Sequence, residues 1–262
     1  MHVLFIVPLL FAASCCFSQS KNMPLPPASA ASRNTGYHLR VFNQAIAVND
    51  LPTATTALNY QLAEHGVDNV YADTLAMLYM QQGLYPQCEY WVNKRLEKSP
   101  ENRTLLEMKG VCLEKSGRTK EAIPVFEKLF SAGRNPYHAY QLMELQYAIK
   151  RLTECAETAQ EAETLAFRPE YRMTYSVGKQ TATTQLEAGI YNIHALALFD
   201  LGNKTEARKY LEKALAVDST FALARQNLNA LLSLESENSG KGKSPADTRE
   251  GPDLPAKRND QN

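Results

Sequence analysis

The clearest hydrophobic pattern in the chain spans residues 187–221, where two amphipathic segments flank a single glycine. In the first segment apolar residues recur at i, i+3, i+4 and i+7, which is the spacing of one helix face. Gly202 follows, and glycine favours a helix C-terminus because it adopts the left-handed conformation without strain. The stretch predicts two antiparallel helices joined by a tight turn, with apolar faces at Tyr191, His194, Ala195 and Leu198 and at Ala207, Leu211, Ala214 and Leu215.

Weaker copies of this unit precede it in the chain. If an insertion of 17 residues is allowed before it, turn positions follow one another at intervals of 34, at Asn49, Gly83, Gly117 and Arg151. This register predicts repeats at residues 35–68, 69–102, 103–136, 137–170 and 188–221. At the repeat position of Ala207 the other four repeats also have small residues, as the close crossing of neighbouring helices requires. We call this position the small column, and its other members are Ala54, Cys88, Ala122 and Ala156.

Residues 188–221 resemble a tetratricopeptide repeat, whose 34-residue pattern places aromatic, Leu, Gly, Tyr, Ala, Phe, Ala and Pro residues at fixed positions. Pro100 closes the second repeat where that family places its proline. The resemblance implies an all-α fold, an α-solenoid of about five helix-turn-helix repeats. Residues 222–236 continue with apolar residues on one face and predict the C-terminal capping helix that a solenoid needs. Residues 237–262 lack aromatics and predict a disordered tail.

The fourth repeat and the insertion depart from the pattern. Gln160, Glu163 and Thr164 replace apolar residues in the second helix of the fourth repeat, which predicts a loosely packed or shifted helix. In the insertion, residues 171–187, we expect a loop up to about Lys179 and a backward extension of the next helix. Insertions in repeat arrays often lie on the binding face. Tyr171 and Tyr175 are therefore either partner-binding residues or part of a tolerated surface loop.

The N-terminal residues predict export. Residues 3–13 form an apolar run that is too short to span a bilayer and is followed by small and polar residues, as in a signal peptide over residues 1–18. Cleavage after Ser18 would leave a soluble protein beginning at Gln19. Alternatively, residues 12–15 resemble a bacterial lipobox, which would make Cys15 the site of lipidation. Residues 19–34 then form a flexible linker, and the expected location is the periplasm or cell envelope.

Composition and motifs indicate a binding protein and not an enzyme. Lys and Arg together equal Asp and Glu at 28 each, so no global charge favours nucleic acid. The histidines have no metal-ligand spacing, and no catalytic, cofactor-binding or phosphate-binding motif is complete. Cys88 and Cys112 lie on facing helices of consecutive repeats, which allows a disulfide. Each also fills a small packing position, and this favours buried free thiols.

The resemblance also implies where a partner binds, because first helices line the concave groove in this family. The candidate partner-binding residues there are Asn43, Asp73, Met77, Met80, Glu107, Glu114, Gln141, Asn192 and Phe199. Acids or neutral residues replace the lysine that clamps a peptide carboxylate in the chaperone-binding subgroup. We therefore expect an exported scaffold for a protein or peptide partner with basic and apolar side chains. The alternative is a permanent structural subunit of a cell-envelope assembly. A membrane would be met only through a lipid anchor or a partner complex.

Overall fold

The computed structural model describes residues 36–66 and 70–241, which form a helical array interrupted by one hairpin of two strands. Ten helices form five consecutive antiparallel pairs, and each pair packs against the next. The pairs are α1 (Tyr37–Ala47) with α2 (Leu51–His65), α3 (Tyr71–Gln81) with α4 (Tyr85–Leu96), α5 (Arg103–Lys115) with α6 (Thr119–Gly133), α7 (Pro136–Ala148) with α8 (Leu152–Glu163), and α9 (Leu186–Asp200) with α10 (Lys204–Val217). The predicted α-solenoid is confirmed.

The same turn closes the first helix of every pair. One residue adopts the left-handed conformation, and the next residue donates its N–H to the carbonyl five positions earlier, which satisfies a free carbonyl at the helix end. The left-handed residues are Asn49, Gly83, Gly117, Lys150 and Gly202. The closing bonds measure 2.8–2.9 Å and run from Asp50 to Ala45, Leu84 to Tyr79, Arg118 to Leu113, Arg151 to Gln146 and Asn203 to Leu198.

The fourth turn lies at Lys150, one residue earlier than the 34-residue register predicts. The small column of this pair is therefore Cys155, which has no exposed surface, and not Ala156. In α8 the buried positions belong to Ala159 and Ala162, while Gln160 is exposed. The second helix of the fourth repeat is thus shifted by one residue and well packed. The polar residues that interrupt the pattern simply lie outside the core.

Close contact within each pair depends on the small column and, in one pair, on a glycine. Ala54, Cys88, Ala122, Cys155 and Ala207 are all fully buried. A Cβ added to Gly110 of α5 would lie 2.7 Å from the ring of Phe126 in α6, closer than carbon atoms approach without displacement. Small residues at these crossings let the helix axes approach until the larger side chains interdigitate.

The insertion forms an antiparallel hairpin and not the predicted loop with a helix extension. Strands β1 (Arg172–Val177) and β2 (Gln180–Gln185) pair over six residues each. Gly178, at a φ of 60°, takes the first position of the two-residue turn, where a type II′ hairpin requires positive φ. The alternating burial of Met173 and Tyr175 and the β-branched threonines of β2 explain the strand conformation.

This hairpin joins the N-terminal ends of three helices. At α7, the Tyr137 hydroxyl donates to the Arg172 carbonyl (3.3 Å) and accepts from the Arg172 N–H (3.2 Å). At α9, Met173 occupies the space beside Gly189 that a side chain would otherwise fill. At the helix that follows α10, the Tyr175 hydroxyl accepts a hydrogen bond from the N–H of Ala222, the first residue of that helix, at 3.2 Å. Tyr175 is therefore a buried anchor, and its expected role as a partner-binding residue is wrong.

Helix α11 (Ala222–Lys241) follows the last pair and covers its apolar surface with Ala224 and Leu231. It continues five residues beyond the predicted end of the capping helix. The rest of the predicted tail, the signal peptide, the linker and Cys15 lie outside the described residues. Within residues 36–66 and 70–241, no helix combines the length and the apolar character needed to cross a membrane.

The shifted register of α8 predicts a difference between two adjacent substitutions. Ala159→Asp places an unpaired carboxylate in the core and should lower the free energy of unfolding by about 3 kcal/mol or more. Gln160→Asp, on the exposed side, should change it by no more than about 0.5 kcal/mol. Urea denaturation followed by circular dichroism measures both. Equal effects, or a larger effect at Gln160, would contradict the placement of the fourth turn at Lys150.

Candidate functional site

The first helices of the pairs form the inner side of the array. Contacts between alternate helices join α3 to α5 and α7 to α9, both of which are pairs of first helices. A curved stack of helix pairs brings the elements on its concave side closest together. We call the exposed sides of α1, α3, α5, α7 and α9 the inner face, and this surface is the candidate site for a partner.

On α7 the partly exposed Glu144 and Tyr147 contribute to the inner face beside the buried Tyr140, and the 34-residue register did not identify these residues. Leu145 shares the position of the candidates Asn43 and Met77 in that register, but it has no exposed surface, whereas Glu144 is partly exposed. The sequence did carry the missed signal at Asn135 and Pro136. Asparagine at the N-cap followed by proline at the first helical position marks a helix start, one residue before the predicted repeat boundary.

Glu144 is the acidic group of the inner face whose pKa is most strongly shifted. The Tyr140 hydroxyl donates a hydrogen bond to its Oε1 at 2.8 Å. Burial raises the pKa of the Glu144 carboxyl to about 7, and the negative charge of Glu114 acts in the same direction. The Tyr140 hydrogen bond and the positive charge of Lys115 oppose this increase. The carboxyl therefore changes its charge near neutral pH, beside an aromatic ring.

Glu114 of α5 lies next to this group but is almost completely buried. Gln141 Nε2 donates to Glu114 Oε2 at 2.7 Å, and Lys115 Nζ lies 3.1 Å from Oε1. Burial raises the pKa of Glu114, and Lys115 opposes this. Gln141, expected to contact a partner, is instead buried and fixes the Glu114 carboxylate. Glu114 and Gln141 therefore lie in the core beneath the inner face and support it.

Two further predicted acids pair with residues of neighbouring helices. Arg95 of α4 donates from Nε to Asp73 Oδ1 at 2.6 Å. Glu107 Oε1 lies 2.8 Å from Nε2 of His138, which joins α5 to α7. The side chains of Asp73 and Glu107 nevertheless remain 34% and 46% exposed. Each carboxylate can therefore also meet a positively charged ligand group.

Three other predicted contact residues are buried, so their assignment to the partner surface is wrong. Met77 and Met80 belong to the core between α3, α4 and α5. Asn192 accepts a hydrogen bond at Oδ1 from Asn227 Nδ2 of α11 at 2.9 Å. Met77 and Met80 are covered because α5, the first helix of the next pair, packs over them, and Asn192 is covered by α11. Of the remaining candidates, Asn43 is exposed, and Phe199 and Tyr171 are partly buried.

His194 is an interior residue, as its position on a packing face predicts. It is 1% exposed, and its Nδ1 lies 2.8 Å from Glu163 Oε1. Burial lowers the pKa of His194, while the Glu163 hydrogen bond opposes this decrease. Across residues 36–66 and 70–241, no group of three or more His, Cys, Asp or Glu side chains is placed to hold a metal ion.

Comparisons with known proteins agree with this architecture. Residues 188–221 match the family model described as Tetratricopeptide repeat. A soybean (Glycine max) protein, Hsp70-Hsp90 organizing protein 1, is 26% identical over 202 residues, which are 69% of this chain and 35% of the relative. The chain therefore spans about a third of the length of that relative.

Among solved structures, YrrB, described as a TPR protein with an unusual peptide-binding site, aligns at a TM-score of 0.57 and 16% identity. The alignment covers 72% of this chain and 89% of YrrB. MamA from Desulfovibrio magneticus RS-1 aligns at a TM-score of 0.55 and 16% identity over 71% of this chain and 95% of MamA. At these identities the likeness shows the fold alone. With the match at residues 188–221 and the repeated turn, it shows that the array has the fold of a tetratricopeptide-repeat solenoid.

Proposed function

We propose that this chain is a non-enzymatic scaffold whose inner face binds an extended segment of a partner protein. The observation that carries the proposal is the Tyr140 and Glu144 pair, a desolvated carboxyl beside an aromatic ring on a partly exposed surface. A solenoid of helix pairs offers such a surface because its first helices remain uncovered along the concave side. The peptide-binding description of YrrB, a protein of the same fold, adds support by analogy.

The chemistry of the inner face favours a partner with basic and apolar side chains. Asp73, Glu107 and Glu144 are partly exposed acids along consecutive first helices. The Lys115 ammonium is already paired with Glu114. A lysine or arginine side chain entering beside Glu144 could pair with its carboxylate and pack on the partly exposed Tyr147 ring. A partner carboxylate would meet repulsion at the same place.

Glu144 is proposed to discriminate between cationic and anionic segments. A short fluorescein-labelled peptide of alternating lysine and leucine should bind more tightly than its glutamate and leucine counterpart. Glu144→Gln should weaken binding of the lysine peptide about fivefold, because one partly desolvated ion pair contributes about 1 kcal/mol. Fluorescence anisotropy titration at about 0.1 M salt gives both constants.

Glu157→Gln provides the matched control, because Glu157 is an exposed acid on the second helix α8 and the same charge is removed. Its affinity for the lysine peptide should stay within about twofold of the unmodified protein. If both substitutions weaken binding of the lysine peptide equally, the effect is due to net charge and not to the Glu144 carboxylate. Equal binding of the two peptides would contradict the proposed partner chemistry.

Binding of the lysine peptide should also depend on pH. Since the pKa of Glu144 is raised to about 7, the carboxyl is mostly neutral below that pH and mostly charged above it. Lysine stays protonated throughout this range, so affinity should rise about threefold between about pH 6 and pH 8. The Glu144→Gln protein should lose most of this rise, whereas the Glu157→Gln protein should retain it. If the Glu144→Gln protein shows the same pH dependence of peptide affinity as the unmodified protein, the dependence would come from histidines.

We further propose that the scaffold is exported to the periplasm or cell envelope. The support is the apolar run of residues 3–13 and the small and polar residues that follow. Intact mass of the protein from its native source, before and after detergent extraction, tests this. A soluble form beginning at Gln19 is expected from cleavage, and a lipid-bearing form beginning at Cys15 would mean a tethered scaffold. An unprocessed chain beginning at Met1 would overturn export.

A further inference from the structure

A cavity lies where α6 leads into α7, beside the connection from α8 to the hairpin. Helix α6 ends at Gly133 and α7 begins at Pro136, so this connection consists of Arg134 and Asn135 alone. Arg134 takes the left-handed conformation, at a φ of 47°, and Asn135 caps α7. The cavity between the two connections has a volume of about 390 Å³, at the lower end of the range for ligand pockets. We call it the connection cavity.

An aromatic wall forms one side of the connection cavity. The rings of Tyr137 and Tyr171 meet edge to face, with their centroids 5.5 Å apart and their planes at 61°. The Tyr137 ring is fixed because its hydroxyl is hydrogen-bonded to both backbone groups of Arg172. Both rings remain partly exposed, and Leu165 adds apolar surface beside them. The wall can therefore accept a further ring in the edge-to-face or offset arrangement that aromatic side chains prefer.

The charge of the connection cavity is opposite to that of the inner face. Its lining includes Arg134 and Arg168 and no Asp or Glu among the described residues. The Arg168 guanidinium lies 5.9 Å from the centre of the Tyr171 ring. Its ion pair with Glu170 is 3.9 Å long, and the two side chains are 68% and 66% exposed. Such an exposed pair contributes little to stability, so Arg168 can exchange Glu170 for the carboxylate of a ligand.

Two further guanidinium groups add to this positive charge. Arg134 is held in place because it donates a hydrogen bond to Glu161. Arg103 of α5 lies beside Gly133, which lines the cavity, and it donates from Nη2 to a backbone carbonyl oxygen at 3.1 Å. A carbonyl oxygen does not neutralise a guanidinium, so the charge of Arg103 is available to an anion at the cavity.

We propose that the connection cavity is a second binding site and takes a peptide segment in which a carboxylate side chain adjoins an aromatic ring. The carboxylate accepts hydrogen bonds from the guanidinium groups of Arg168 and Arg134. The ring packs against Tyr171 and Tyr137. This ligand is opposite in charge to the segment proposed for the inner face, and the two sites share no residue. The scaffold can therefore hold two segments of different chemistry at the same time.

Peptide titration with the full chain tests this site. A short fluorescein-labelled peptide of alternating glutamate and tyrosine should bind at least about fivefold more tightly than its glutamine and tyrosine counterpart. Arg168→Gln should weaken binding of the glutamate peptide about fivefold, because one ion pair is removed. Tyr171→Leu should weaken it several-fold, whereas Tyr171→Phe, which keeps the ring, should retain the affinity. Fluorescence anisotropy at about 0.1 M salt gives the binding constants, and circular dichroism checks that each variant is folded.

Arg208→Gln provides the matched control, because Arg208 is an exposed arginine of α10 and the same charge is removed. Its affinity for the glutamate and tyrosine peptide should stay within about twofold of the unmodified protein. Equal weakening by Arg168→Gln and Arg208→Gln would overturn the proposal, since the effect would then be one of net charge. Equal binding of the glutamate and glutamine peptides would also overturn it, because a carboxylate would then have no role in recognition.

Discussion

The close crossing of the two helices in each pair is the constraint on which the structure depends. It requires a small residue at one position of each second helix and a left-handed turn that reverses the chain. Ala54, Cys88, Ala122, Cys155 and Ala207 meet the first requirement with no exposed surface. The turns at Asn49, Gly83, Gly117, Lys150 and Gly202 meet the second through the same closing hydrogen bond. With both in place, every pair presents the same apolar sides to its neighbours, and the array can continue.

A change of one residue in repeat length alters which side chains reach the inner face. The left-handed turns at Gly117 and Lys150 are 33 residues apart, whereas those at Gly83 and Gly117 are 34 residues apart, so α7 lies one residue earlier in its repeat. One position along a helix is a rotation of about 100°. The rotation brings Glu144 and Tyr147 onto the inner face and buries Leu145. A desolvated carboxyl, and with it the proposed preference for basic segments, follows from the loss of a single residue.

The hairpin shows how an insertion can be added without breaking the array. The hairpin connects the C-terminal end of the second helix α8 to the N-terminal end of the first helix α9. Met173 and Tyr175 anchor it in the largest core cluster, which extends from α5 to α11. The insertion therefore ties the last two pairs to α11 and adds core to the C-terminal half. The N-terminal half has smaller, separate clusters, one of which joins its second and third pairs.

Local patterns in the sequence were sufficient for the class of fold, the number of pairs and the left-handed positions at Asn49, Gly83, Gly117 and Gly202. Helical periodicity and turn-forming residues are local properties, so they can be read directly from the chain. The start of α7 was marked by Asn135 and Pro136, but repetition at a fixed interval concealed it. The burial of Met77, Met80, Gln141 and Asn192 was decided by the tertiary structure, because whether a helix face is covered depends on the neighbouring repeat. The raised pKa of Glu144 depends on packing in the same way, since desolvation arises only when the helices are assembled.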